Sequence, residues 1–223
     1  MSYQPKTKPQ RAVHPRTASG QAQKAKTRAT IIQAAIPIFA RHGPDIPVID
    51  DFVKAAGVSR GTFYNYFQTT RDLLEATMEQ ISNDLIETII PAVVHEPNPV
   101  IRLATAVRMF YRKARLDPVF RAFFGSISGV GNLAVTRAQA DLKEAIAMDL
   151  IKVKDLELAE AISFGLVVFA LRSSNVETGG PERAREVVRA ILNALGADPK
   201  LIDLAMAVPL PPLGKVCTTP AAA

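Results

Sequence analysis

Ala55-Ala56-Gly57-Val58-Ser59-Arg60-Gly61-Thr62-Phe63-Tyr64-Asn65-Tyr66-Phe67, residues 55–67, is the stretch that decides the fold. It reads as the end of one helix, a glycine turn, and a short second helix opened by a serine. Upstream, Ile49, Phe52, Val53 and Ala56 recur at i, i+3, i+4 and i+7, which is one face of a helix. Gly57 falls just past them, where a helix end commonly takes the left-handed conformation that glycine adopts without strain. Ser59 is placed to cap the next turn. Phe63, Phe67 and Val58 turn to the core, whereas Arg60, Gly61, Thr62, Tyr64 and Asn65 point outward. Gly61 weakens a helix by about 1 kcal/mol relative to alanine, which suggests close approach of its backbone to something outside. An earlier helix with Ile32, Ala35, Ile36 and Phe39 supplies a third wall. This is a helix-turn-helix whose second helix is shaped for a DNA major groove.

Charge is concentrated at the same end. Residues 1–44 hold eight lysines and arginines and no acidic residue, so this segment carries +8 while the rest of the chain sums to −2. Such an asymmetry is the electrostatic footprint expected for phosphate. Residues 1–26, with Pro5, Pro9 and Pro15 and almost no aliphatics, are expected to be a disordered basic arm. The arm reads either as a solvated tail that attracts DNA non-specifically or as a strand that reads the minor groove; a transit peptide would need an apolar face that it lacks.

From Thr27 to Leu74 the residues resemble the DNA-binding domain of the tetracycline-repressor (TetR) family of transcription regulators. The resemblance rests on Ile32, Ala35, Phe39 and Gly43, then Ala56-Gly57-Val58-Ser59, Gly61-Thr62-Phe63-Tyr64, Tyr66-Phe67 and Leu73. It covers about a fifth of the chain. The family usually has a phosphate-gripping lysine at the position of Thr70, and here the nearest cation is Arg71. Its second helix often starts on a threonine, where this chain has Pro47-Val48. Pro37 interrupts the first helix and is expected to kink it.

Beyond Thr69 the chain reads as helices separated by proline and glycine. They are expected over Thr70–Ile90, Val100–Arg115, Val119–Phe124 (after the Asp117-Pro118 cap), Leu133–Lys152, Leu156–Ser173, Pro181–Leu195 and a short one from Pro199. Gly125, Gly129 and Gly131 loosen the stretch before Leu133. With no alternating strand pattern, the expected fold is all-α: a three-helix, homeodomain-like helix-turn-helix domain over residues 27–69, a helical bundle over 70–207, and a disordered tail over 208–223.

Ala161–Leu171 is apolar nearly all round, and Ala184, Val187, Val188, Ile191, Leu192 and Leu195 form a full stripe. Such helices are either central in their own bundle or covered by a second subunit. The family resemblance implies the latter, a homodimer through Leu156–Ser173 and Pro181–Leu195. Phe110, Phe123 and Phe164 are core residues or the lining of a cavity for a flat apolar molecule; the resemblance implies an inducer site there.

Catalytic readings fail. His14, His42 and His95 have no helical i,i+4 partner for a metal. Ser126 and Ser128 lack the strand-turn-helix context of a nucleophile, and Gly129-Val130-Gly131 is too short for a dinucleotide fingerprint. No cofactor is implied, and the single Cys217 suits a reducing cytoplasm. No apolar run approaches the ~20 residues of a membrane span.

The expected function is a cytoplasmic, dimeric DNA-binding regulator. It is a repressor that binds a near-palindromic operator and is released by a small apolar or aromatic effector. The alternative is an architectural DNA-binding protein without ligand control. Arg60 and Asn65 are the candidates for base edges, with Thr62 suited to bases or phosphates and Gly61 to close backbone approach. Ser59, Tyr64, Tyr66 and Arg71 are candidates for phosphates, joined by Lys26 and Arg28. Packing against the fourth helix is the other reading of Tyr66.

Overall fold

The computed structural model describes residues 15–43, 45–117, 120–121, 131–171 and 180–213. The described elements are α1 (Pro15–His42), α2 (Ile49–Ala56), α3 (Arg60–Tyr64), α4 (Thr70–Val93), α5 (Pro99–Leu116), α6 (Asn132–Ala147), α7 (Leu156–Leu171), α8 (Gly180–Ala194) and α9 (Pro199–Ala207). No strand occurs among the described residues.

The first three helices close over one small core. Ile31, Ile32, Ala35, Ile36 and Phe39 of α1 meet Phe52 of α2, Phe63 of α3 and Phe67 beyond it, all buried. The Phe39 and Phe52 rings lie 4.8 Å apart between centroids. Gly57 takes φ 63°, and Ser59 caps α3 by accepting from the Thr62 amide at 3.0 Å. Val48 has no side chain to cap α2, so Asp51 reaches back and accepts from the Val48 amide at 2.9 Å.

The remaining helices form a bundle around α5, which packs on α4, α6, α7, α8 and α9. α4 opens on a reciprocal cap: Thr69 Oγ1 accepts from the Asp72 amide at 3.0 Å, and Asp72 Oδ2 accepts from the Thr69 amide at 3.1 Å. It packs first on α1 and then on α5 and α6, so one continuous helix joins the two halves.

Several boundaries differ from expectation. Residues 15–26 are not a disordered arm: they form the start of α1, exposed all round from Gly20 to Lys26. Alanine, glutamine and lysine are strong helix formers, and extending a helix already nucleated by its packed half needs no second nucleus. Residues 1–14 lie outside the described residues. α4 runs past Pro91 to Val93. α6 ends at Ala147 rather than Lys152, because Asp149 takes φ 55° and the Leu150 amide turns back to the Ala145 carbonyl at 2.9 Å. Aspartate tolerates that conformation without a glycine to announce it.

Nor is the start of the tail loose. Leu210 and Leu213 pack on the core, and Arg112 donates to the Pro211 carbonyl at 2.9 Å; residues 214–223 lie outside the described set. Gly131 is a packed position, since a Cβ there would stand 2.5 Å from that of Ser82. Ser82 and Asn83 of α4 instead accept from the Gly131 and Leu133 amides at 3.0 and 3.3 Å, capping α6 from outside it. Gly125, Gly129 and the Val119–Phe124 helix fall outside the described residues, except Phe120 and Arg121. Asp117 accepts from the Phe120 amide at 3.0 Å, as the expected cap requires.

Candidate nucleic-acid interface and interior cavities

α3 is only five residues long, yet its face is set from both sides. Phe63 anchors it to the core, and its cap orients the first turn. Arg60, Gly61, Tyr64 and Asn65 are exposed on one surface. A Cβ on Gly61 would meet only Ser59 Oγ, at 3.9 Å, so nothing within the chain requires glycine there. Thr62 is half-buried, and its hydroxyl is shared with that of Ser59 at 2.9 Å. Both hydroxyls thus serve the cap. Tyr64 stands edge-on to Phe63, with ring centroids 5.9 Å apart. Tyr66 is half-buried and packs on the core.

Arg60 does not extend freely into solvent. Its Nε and Nη2 donate to the two carboxylate oxygens of Asp50 in α2, at 2.6 and 2.7 Å. The bond to Asp50, and then its charge, hold the guanidinium above its ordinary pKa. A guanidinium gripped along one edge still presents Nη1 and the second Nη2 hydrogen, the pair of donors that guanine accepts. Asp50 went unnoticed in the sequence because it is ten residues away, across the turn.

The flanking cations are arranged around this face. Arg71, at the start of α4, is exposed and pairs with Glu75 at 3.1 Å. Lys26 is exposed on α1. Arg28 lies 5.4 Å above the Phe67 ring, so a cation–π contact pins it to the turn between α3 and α4. Gln68, which the sequence reading passed over, donates to the Tyr64 carbonyl at 2.8 Å and closes the end of α3.

In the bundle, Phe110 and Phe164 do come together. They line a small apolar cavity of about 50 Å³ with Ile86, Val107 and Val167, between α4, α5, α6 and α7. Phe123 lies outside the described residues. Beside it, and sharing Ile86, Leu103 and Ala106, a cavity of about 360 Å³ opens toward Arg102, Asp141 and Glu144. Arg102 Nε donates to Asp141 at 2.7 Å, and Nη2 pairs with Glu144. These charged groups are polar anchors that the aromatic pattern did not show.

The apolar stripe of α8 is buried within the chain. That of α7 is not fully covered: Leu158, Leu166 and Phe169 are 51%, 39% and 74% exposed along one face. No group of metal-binding side chains occurs among the described residues, and no described helix is long and apolar enough to cross a membrane.

Known proteins repeat this arrangement. A probable acrEF/envCD operon repressor of Escherichia coli is 33% identical over 93 residues, 40% of this chain and 42% of that protein. The uncharacterized HTH-type transcriptional regulator YvdT of Bacillus subtilis is 36% identical over 75 residues, 34% of this chain and 36% of its own length. The chain thus spans under half the length of these curated relatives. In fold, the bundle is similar to RolR crystallised with resorcinol, at a TM-score of 0.70 and 23% identity over 87% of this chain and 100% of that one. The two curated relatives are thus named as an operon repressor and an HTH-type transcriptional regulator. Residues 31–77, which span the three-helix core and the first turns of α4, match the model of "Bacterial regulatory proteins, tetR family".

Proposed function

We propose that this chain is a dimeric transcription repressor that binds a near-palindromic operator through α3 and is released by a small aromatic or apolar effector. The observation that carries the reading is α4. It starts beside the exposed face of α3 and ends along the cavities lined by Phe110, Phe164 and Arg102. A ligand seated there bears on the same rigid element that holds the DNA-reading end, and this supports mutual antagonism between the two ligands. The uncovered stripe of α7 supports a second copy packed on that face. Resorcinol in the RolR neighbour suits the effector class proposed.

Selection of bound sequences from a random duplex pool tests the reading without a known operator. The expected result is an enriched two-fold motif with half-site centres about 34–36 Å apart or a multiple of it. Resorcinol, titrated against the complex, serves as the first aromatic probe of release. A pool that enriches no motif would favour the architectural alternative and overturn the repressor.

A further inference from the structure

A further cavity lies on another face of α5, away from Phe110. It has a volume of about 580 Å³ between α5, α8 and α9, with Arg108, Arg112, Arg115 and Arg185 in its wall and Glu182, paired with Arg185 at 3.4 Å, as the acidic residue among its described lining. Three of these arginines sit at i, i+4 and i+7, a single helical face.

What distinguishes them is how they are held. Arg108 is buried, and its Nη1 donates to the Ala205 and Val208 carbonyls at 3.1 and 2.8 Å. Arg112 donates to the Pro211 carbonyl at 2.9 Å. Among the described residues no carboxylate pairs with Arg108, Arg112 or Arg115. Neutral carbonyls fix the orientation of the Arg108 and Arg112 guanidiniums without cancelling their charge. Burial, and then repulsion from Arg185, lower the Arg108 pKa, with Glu182 opposing.

A buried cation without a counter-charge is costly, and a folded chain would be relieved of that cost by an anion. Tyr111 also lines the cavity, and its buried hydroxyl has no hydrogen-bond partner among the described residues. Burial pushes the Tyr111 hydroxyl up to about 12, so it remains a neutral donor. The rest of the wall is apolar, from Ala184, Val208 and Leu210.

We infer that this cavity binds an organic anion, its oxyanion group held by the α5 arginines and its apolar body lying against Ala184, Val208 and Leu210. The site is separate from the cavity at Phe110 and Phe164, and it stands whether or not the chain represses transcription. The chain has no tryptophan, so Leu210→Trp places a single indole at the site.

The probe is 8-anilinonaphthalene-1-sulfonate, with the uncharged N-phenyl-1-naphthylamine as its control. Saturable quenching of the introduced indole by the sulfonate is expected, weakened about tenfold or more by Arg112→Gln with Arg115→Gln, a loss typical of charged hydrogen bonds. Equal affinity in the glutamine variant at unchanged helix content, or equal quenching by the uncharged amine, would overturn the site. Should the double variant not fold, displacement of the sulfonate from the Leu210→Trp protein by benzoate decides: displacement supports the site and its absence overturns it.

Discussion

At the scale of single residues, the proposed reading of DNA by α3 turns on the pair Arg60–Asp50. Held along one edge, the Arg60 guanidinium has its direction fixed before DNA arrives, so less side-chain entropy is lost on contact. Arg60→Ala is expected to relax preference at one base position per half-site, by about 1–3 kcal/mol. Asp50→Ala is expected to do something different: affinity for all sequences rises, and the salt slope steepens by about one phosphate contact, ~0.9 in log K per log salt. Discrimination at the Arg60 position falls in the same variant. Binding to the selected duplex and to a scrambled one, across a salt series, separates the two. A uniform loss of affinity in Arg60→Ala would show that this arginine meets phosphate instead. The pair was illegible in the sequence, since nothing local links position 50 to position 60. Gly57, Ser59 and the phenylalanines were legible because each acts within a turn of itself.

Among the elements, α4 depends on its first turn. The Asp72 carboxyl lies below its ordinary range, chiefly through the Thr69 side-chain bond, with the Gln68 and Thr69 amides adding to it. A carboxyl whose pKa is depressed by folding stabilises above the unfolded value, about 3.9, and loses that contribution as pH falls through its lower folded value. The melting temperature of Asp72→Asn should therefore lie below that of the natural chain at neutral pH, with the gap constant down to about pH 4 and closing below it. A gap that stays open in acid would mean the carboxylate is not what caps α4. Element ends were read well where a glycine marks them, as at Gly57, but α4 ran past the proline expected to stop it. They were misread where Asp149 ended α6, and where an unpacked stretch simply continued α1. The arginine face of α5 was equally visible as a spacing, but α8 and α9 had to be folded against it before it enclosed a cavity.

For the whole molecule, the proposed dimer rests on the uncovered face of α7. Phe169 is the most exposed large apolar side chain described, with Leu158 and Leu166 in line. Phe169→Arg should yield a monomer in sedimentation with unchanged helix content, and DNA binding weakened because each half-site must then be met separately. A variant that still sediments as a dimer would place the interface elsewhere. The sequence showed that these helices were too apolar for one surface, but not which of the two was satisfied within its own chain.

The exposed first half of α1 acts as a ruler for charge. At 1.5 Å per residue, the helical state fixes how far Lys24 and Lys26 stand from the packed half of α1. Each turn that melts replaces about 5.4 Å of rigid rod with a flexible tether. Reach should thus be adjustable without altering a single charge. Ala22→Gly with Ala25→Gly, costing about 1 kcal/mol each in helix propensity, is expected to flatten the salt dependence of DNA binding while leaving the selected motif intact. Warming should do the same to the natural chain by degrees. A slope indifferent to both would mean that the rod lies clear of the DNA.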